Sequence, residues 1–230
     1  MLLNWDNDKA NGVELWRRII MELSGVASFT GVICVVLTTM GKISSYFWGI
    51  LNCIFYGVFA FTYGYAGDAQ LNILLFLPMQ FVGVYFWEEN LDENQTAKSR
   101  SLKWYQWGLI LFLTCCFGVA FYYEIPAFAE ALTGDYYFKD KLAPRILDSV
   151  ANALSITAQI LSIYRFWQQW IFWIVIDCVQ IAMYSGVAGY GIQFNILVMW
   201  SLFLINAIVG LVGWVKRWKK LLMVDGSNQI

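Results

Sequence analysis

The chain has 230 residues, of which 60% are hydrophobic and only 13% charged, with 15 Lys+Arg against 16 Asp+Glu and no histidine. A water-facing surface normally needs about 25% charged residues, so a soluble enzyme of this size is excluded. The net charge of −1 excludes the basic footprint of a nucleic-acid binder, and the absence of His excludes zinc–histidine sites and Ser-His-Asp triads. The expected class is an all-α, polytopic membrane protein.

The first 18 residues are polar and acidic and lack the basic start and small-residue cleavage site of a signal peptide. Residues 1–18 are therefore expected to be an interfacial segment. Charge-free runs then extend from Leu23 to Gly41, Ile43 to Gly67, Ala69 to Trp87 and Trp104 to Tyr123. Each is near the roughly 20 residues that a membrane-spanning helix needs. Ser149 to Tyr164 supplies a fifth span, extended at both ends. Between Phe166 and Val215 the sole charge is Asp177, and the stretch is too long for one helix; Ser185-Gly186-Val187-Ala188-Gly189-Tyr190-Gly191 supplies the break. The spacing predicts seven transmembrane helices. The expected boundaries are a first three-helix unit over 19–88, a loop and linker helix over 89–125, a loop over 126–142, a second three-helix unit over 143–216 and a tail over 217–230. The five cysteines all fall in apolar runs and read as small apolar fillers.

Orientation follows from Lys and Arg. One side carries Lys9, Arg17, Arg18, Lys139, Lys141 and Arg145; the other carries Lys42, Lys98, Arg100, Lys103, Arg165, Lys216, Arg217, Lys219 and Lys220. The richer side predicts a cytoplasmic C-terminus and an outside N-terminus. Trp87, Trp104, Trp107, Trp214 and Trp218 sit at helix ends and are expected to form the interfacial aromatic belt.

Two signatures recur. Trp48-x-x-x-Asn52-Cys53 in the second helix matches Trp173-x-x-x-Asp177-Cys178 in the sixth, and Gln70-Leu71-Asn72-Ile73-Leu74 in the third matches Gln193-Phe194-Asn195-Ile196-Leu197 in the seventh. The offsets, 125 and 123, place corresponding helices four spans apart, so both units cross the membrane in the same direction. The expectation is two parallel three-helix repeats joined by a linker helix, with a substrate site between them near the midplane.

Polar residues align on three helices. Asp148, Asn152, Ser155, Gln159 and Ser162 share an arc of about 80° on the fifth, as do Trp170, Trp173, Asp177, Gln180 and Tyr184 on the sixth. Trp48, Asn52, Tyr56 and Tyr63 share a face of the second. Gln80 lies in the third, beside Pro78, which can bend the helix and free a carbonyl. Such stripes are either interhelical glue or a shared polar cavity; their amides and aromatic rings suit a planar, hydroxylated substrate. Asp177, a carboxylate at mid-helix, is a functional candidate because its insertion costs roughly 2.5–3.5 kcal/mol.

Leu51-Asn52, Leu77-Pro78-Met79-Gln80-Phe81-x-Gly83, Ala153-Leu154-Ser155-Ile156-x-Ala158-Gln159 and Trp170-x-x-Trp173-x-x-x-Asp177 together resemble the PnuC-type nicotinamide riboside transporters, related in fold to the SWEET sugar transporters. The resemblance extends from Ile19 to Trp218. It implies a three-plus-one-plus-three arrangement, uptake of nicotinamide riboside through the inner (plasma) membrane by facilitated diffusion, a homotrimer, and trapping of the substrate by a separate cytoplasmic kinase. The family motif in the sixth helix ends in Asn where this chain has Asp177.

On this reading Trp48, Trp173 and Tyr184 stack on the substrate. Asn52, Gln80, Asn152, Gln159 and Asn195 hydrogen-bond it. No cofactor, metal or catalytic residue is expected, and no Walker motif is present. The alternatives are a carrier or substrate-binding subunit for another vitamin or a sugar, a membrane-embedded enzyme, or a scaffold.

Overall fold

The computed structural model describes residues 15, 24–62, 66–134, 142–185 and 194–227. Apart from Leu15, which is exposed, the expected interfacial segment lies outside the described residues. Among the described residues seven long helices are present: α1 (Ser24–Met40), α2 (Ser45–Thr62), α3 (Ala66–Glu88), α4 (Trp104–Thr133), α5 (Leu142–Ile163), α6 (Gln169–Tyr184) and α7 (Phe194–Ser227). Five are long and apolar enough to cross a membrane by themselves, and α1 and α6 contribute shorter apolar helices.

The helices close into a ring. α1 packs on α2, α2 on α3, α3 on α5, α5 on α6, α6 on α7, and α7 returns to α1. α4 stands outside, against α5 and the start of α3. Burial follows from this arrangement: 72% of the α5 span is buried but only 11% of the α4 span, whose Leu109, Phe112 and Val119 face outward. Two seams therefore join the three-helix units, α3–α5 and α7–α1.

Prolines shape two helices. In α3 the turns over Leu71–Phe76 widen to a π-helix, with the Leu77 N–H reaching back to Asn72 O, just ahead of Pro78. A π turn accommodates a proline ring that would clash with the carbonyl four residues earlier. In α4 the structure corrects the expected boundary, because the helix runs through Pro126 to Thr133 and the loop expected from 126 starts only at Gly134. Proline leaves the carbonyl of Tyr122, four residues earlier, without its helical N–H. Arg145 of α5 takes that carbonyl, Nη2 at 2.8 Å and Nε at 3.2 Å, with its guanidinium 4.1 Å above the Tyr122 ring. The helix ends where Gly134 adopts φ +76°, the left-handed geometry that glycine accepts without strain.

Trp87 and Trp214 correct a second expectation. They are fully buried and not in the aromatic belt, whereas Trp104 is 87% exposed as an anchor should be. The Trp87 and Trp214 rings lie 5.6 Å apart, and each indole donates across a seam: Trp87 Nε1 to Ser162 O at 3.0 Å and Trp214 Nε1 to Thr38 O at 3.1 Å. Tyr46 and Trp170 pack edge-on against this pair. Burying these rings outweighs an interfacial position because four helices and three loops pack together here.

The loops reinforce this end. Lys42 Nζ donates to Asn94 O at 2.7 Å. Arg165, with φ +62°, is buried and donates to Phe86 O at 2.7 Å and Lys98 O at 3.2 Å. Burial, then the neighbouring Arg100, pulls its guanidinium pKa below the usual value.

Candidate functional site

The ring encloses a cavity of about 180 Å³. A single buried water needs roughly 10–15 Å³ on this measure, so the space admits a small organic molecule. All six ring helices line it and α4 contributes nothing. At the end where Trp87 and Trp214 meet, hereafter the seam end, Tyr46 and Trp170 line it.

Five of the residues predicted from sequence meet here: Asn52, Gln80, Gln159, Trp173 and Asp177. Asn52 also has a structural task, since its Nδ2 donates to Ala27 O of α1 at 2.8 Å. Gly31 leaves room for that amide, because a Cβ there would lie 2.8 Å from Asn52 Nδ2. Gln80 follows the π turn and donates to Cys53 Sγ at 3.8 Å. Asp177 is 2% exposed and has no hydrogen-bond partner among the described residues. One turn away, the Oε1 of Gln180 is also buried without a partner among the described residues.

Two predicted residues lie elsewhere. Trp48 packs edge-on against Phe29 at 6.2 Å, outside the cavity wall. The face that α2 turns inward runs through Ser45, Tyr46, Gly49, Asn52, Cys53 and Tyr56. At 3.6 residues per turn Trp48 falls about 100° from its centre. Asn152 is buried behind the first turn of α3, donating to Asp148 O at 2.8 Å and Asp148 Oδ1 at 3.1 Å. Gly67 allows this close approach, as a Cβ there would lie 2.9 Å from Asp148 Oδ2. The upper half of the α5 stripe is thus covered, while Ser155, Gln159 and Ser162 face the cavity. Tyr184 ends α6 and Asn195 begins α7, but both side chains, and all of Tyr63, lie outside the described residues.

The structure also adds residues to the wall. Tyr56 and Asp68 form a pair, with the phenol donating to Asp68 Oδ2 at 3.1 Å. Trp200, Phe203 and Asn206 come from α7, which carries no polar stripe in sequence. One signal was available: the repeat offset of 123 carries Gln80 onto Phe203, and both line the cavity. Asn206 holds the α7–α1 seam, accepting from Thr39 Oγ1 and donating to Val35 O, each at 3.1 Å.

A family model described as nicotinamide mononucleotide transporter matches residues 21–216. The chain belongs to this transporter family. A nicotinamide riboside transporter PnuC of Neisseria mucosa is 31% identical over 207 residues, covering 86% of this chain and 73% of that protein. The nicotinamide riboside transporter PnuC of Haemophilus influenzae is 26% identical over 201 residues, with 86% and 81% covered. The crystal structure of the vitamin B3 transporter PnuC superposes with a TM-score of 0.71 at 28% identity, covering 86% of this transporter and 82% of that chain. That likeness fits the seven-helix, all-α architecture, and the family makes this a multi-pass membrane transporter.

Proposed function

We propose that this transporter carries nicotinamide riboside across the membrane by facilitated diffusion, with the cavity exposed alternately to either side. The family description and the relatives' names differ by one phosphate, and the charge on the cavity wall favours the riboside. Among the described lining residues there is no Lys or Arg, while Asp68 and Asp177 bring carboxylates. A phosphate would add a charge of about −1.5 to −2 with nothing to receive it. The riboside instead brings a pyridinium cation, a planar ring and hydroxyls. Trp173, Trp200 and Phe203 offer aromatic faces for the first two, and Asn52, Gln80 and Gln159 offer amides for the last.

Trp173 is the stacking residue in this reading, and the two three-helix units rock about the cavity through the α3–α5 and α7–α1 seams. The seam end, which carries Lys42, Arg165 and Arg217, faces the cytoplasm. In proteoliposomes, external unlabelled nicotinamide riboside should drive counterflow of the labelled compound without an ion gradient, and nicotinamide mononucleotide should not compete. Uptake that depends on a proton or sodium gradient, with no counterflow, overturns the facilitator reading. Competition by the mononucleotide overturns the charge argument.

A further inference from the structure

We propose that Asp177 is the counter-charge for the positively charged ring of the substrate, and that it makes the transporter prefer cationic nucleosides over neutral ones of the same shape. The proposal rests on the nicotinamide riboside reading and adds to it the residue that sets charge selectivity.

Three observations carry it. Asp177 opens on the cavity one turn from Trp173 on the same helix face, so a ring stacked on that indole lies beside the carboxylate. Its carboxylate receives no hydrogen bond among the described residues, although those of the half-buried Asp68 and the buried Asp148 do, from Tyr56 and Asn152. The repeat supplies the third. Asn52, the counterpart of Asp177, uses its N–H₂ to hold Ala27 O on the neighbouring helix. Asp177 makes no corresponding bond to a neighbouring helix among the described residues. Asp177 is thus, among the described lining residues, the acidic group that the fold leaves uncommitted.

An unpaired carboxylate in a site of low polarity attracts a cation far more strongly than it does in water. The Trp173 face adds attraction of the same sign. A neutral nucleoside gains neither.

The test uses the full chain in detergent or nanodiscs and compares nicotinamide riboside with 1,4-dihydronicotinamide riboside, a neutral analogue of nearly the same shape. Tryptophan fluorescence reports binding. The wild type should bind the cation at least about tenfold more tightly. Asp177→Asn should bring the two affinities to within roughly threefold by weakening the cation alone, and Asp177→Glu should retain the preference. Equal affinities in the wild type, or a preference that survives Asp177→Asn, overturn the assignment while leaving the riboside reading standing. If the wild type binds neither compound, the riboside reading falls and the assignment falls with it. The wild-type comparison keeps the proposal testable even if Asp177→Asn does not fold.

Discussion

Replacing Gly210 by alanine would place a methyl carbon 2.7 Å from Cδ2, Cε2 and Cε3 of Trp170. Ordinary carbon contacts are about 3.5–4.0 Å, so the ring must move by most of an ångström. It has little freedom to do so, being 3% exposed and packed edge-on against Trp214 at 6.2 Å. Overpacking of this kind costs about 1–3 kcal/mol, and a disturbed aromatic pair adds about 0.5–1.5 kcal/mol. The gain in helix propensity returns about 1 kcal/mol. The net loss is about 1–3 kcal/mol. Gly213→Ala, three residues on in the same helix, meets no atom within 4 Å and keeps only the favourable propensity term. The two variants should thus differ by roughly 2–4 kcal/mol, about 5–15 °C in Tm for a chain of this length. Thermal unfolding in one detergent, followed by intrinsic fluorescence, measures the difference. Equal Tm values, or a more stable Gly210→Ala, would refute the reasoning.

Other expectations follow from the same geometry. Trp173→Ala should weaken riboside binding by about 1–3 kcal/mol, on the scale of base–aromatic stacking. Trp48→Ala, off the cavity wall, should change it by less than about 0.5 kcal/mol; equal losses in a titration would return Trp173 to a packing role. Arg145→Ala should cost about 1–3 kcal/mol by stranding the Tyr122 carbonyl, and much less in a Pro126→Ala background, where residue 126 regains its N–H. A double-mutant cycle of Tm values checks this, and additivity would count against it. A reporter active only in the cytoplasm should work when fused after Ile230; silence there would reverse the orientation.

The helices were legible because charges interrupt the apolar runs: Lys42, Asp68, Glu88 and Lys103 all lie within a few residues of helix ends. What escaped depended on distant partners. Pro126 reads locally as a helix end, and only Arg145, on the following helix, supplies the donor that lets α4 continue. Trp87 and Trp214 occupy the same positions along their helices as belt anchors would, and nothing in the local sequence says that they face each other. The stripe on α2 is legible and its Asn52 and Tyr56 reach the cavity, but Trp48 at its edge lies about 100° from the inward centre, because packing neighbours decide which flank points inward. Half of the α5 stripe was likewise correct in phase and covered by α3 through Gly67.

Trp87 belongs to the first three-helix unit and holds a carbonyl of the second; Trp214 belongs to the second and holds a carbonyl of the first. Because the two rings also touch, displacing one removes packing from the other. Each indole N–H stranded by separation would cost about 1–3 kcal/mol, and the contact between the two rings couples the two costs. Such reciprocal fastening ties the α3–α5 and α7–α1 seams to each other. Replacing Trp87 or Trp214 is therefore expected to loosen both seams while leaving the cavity lining in place.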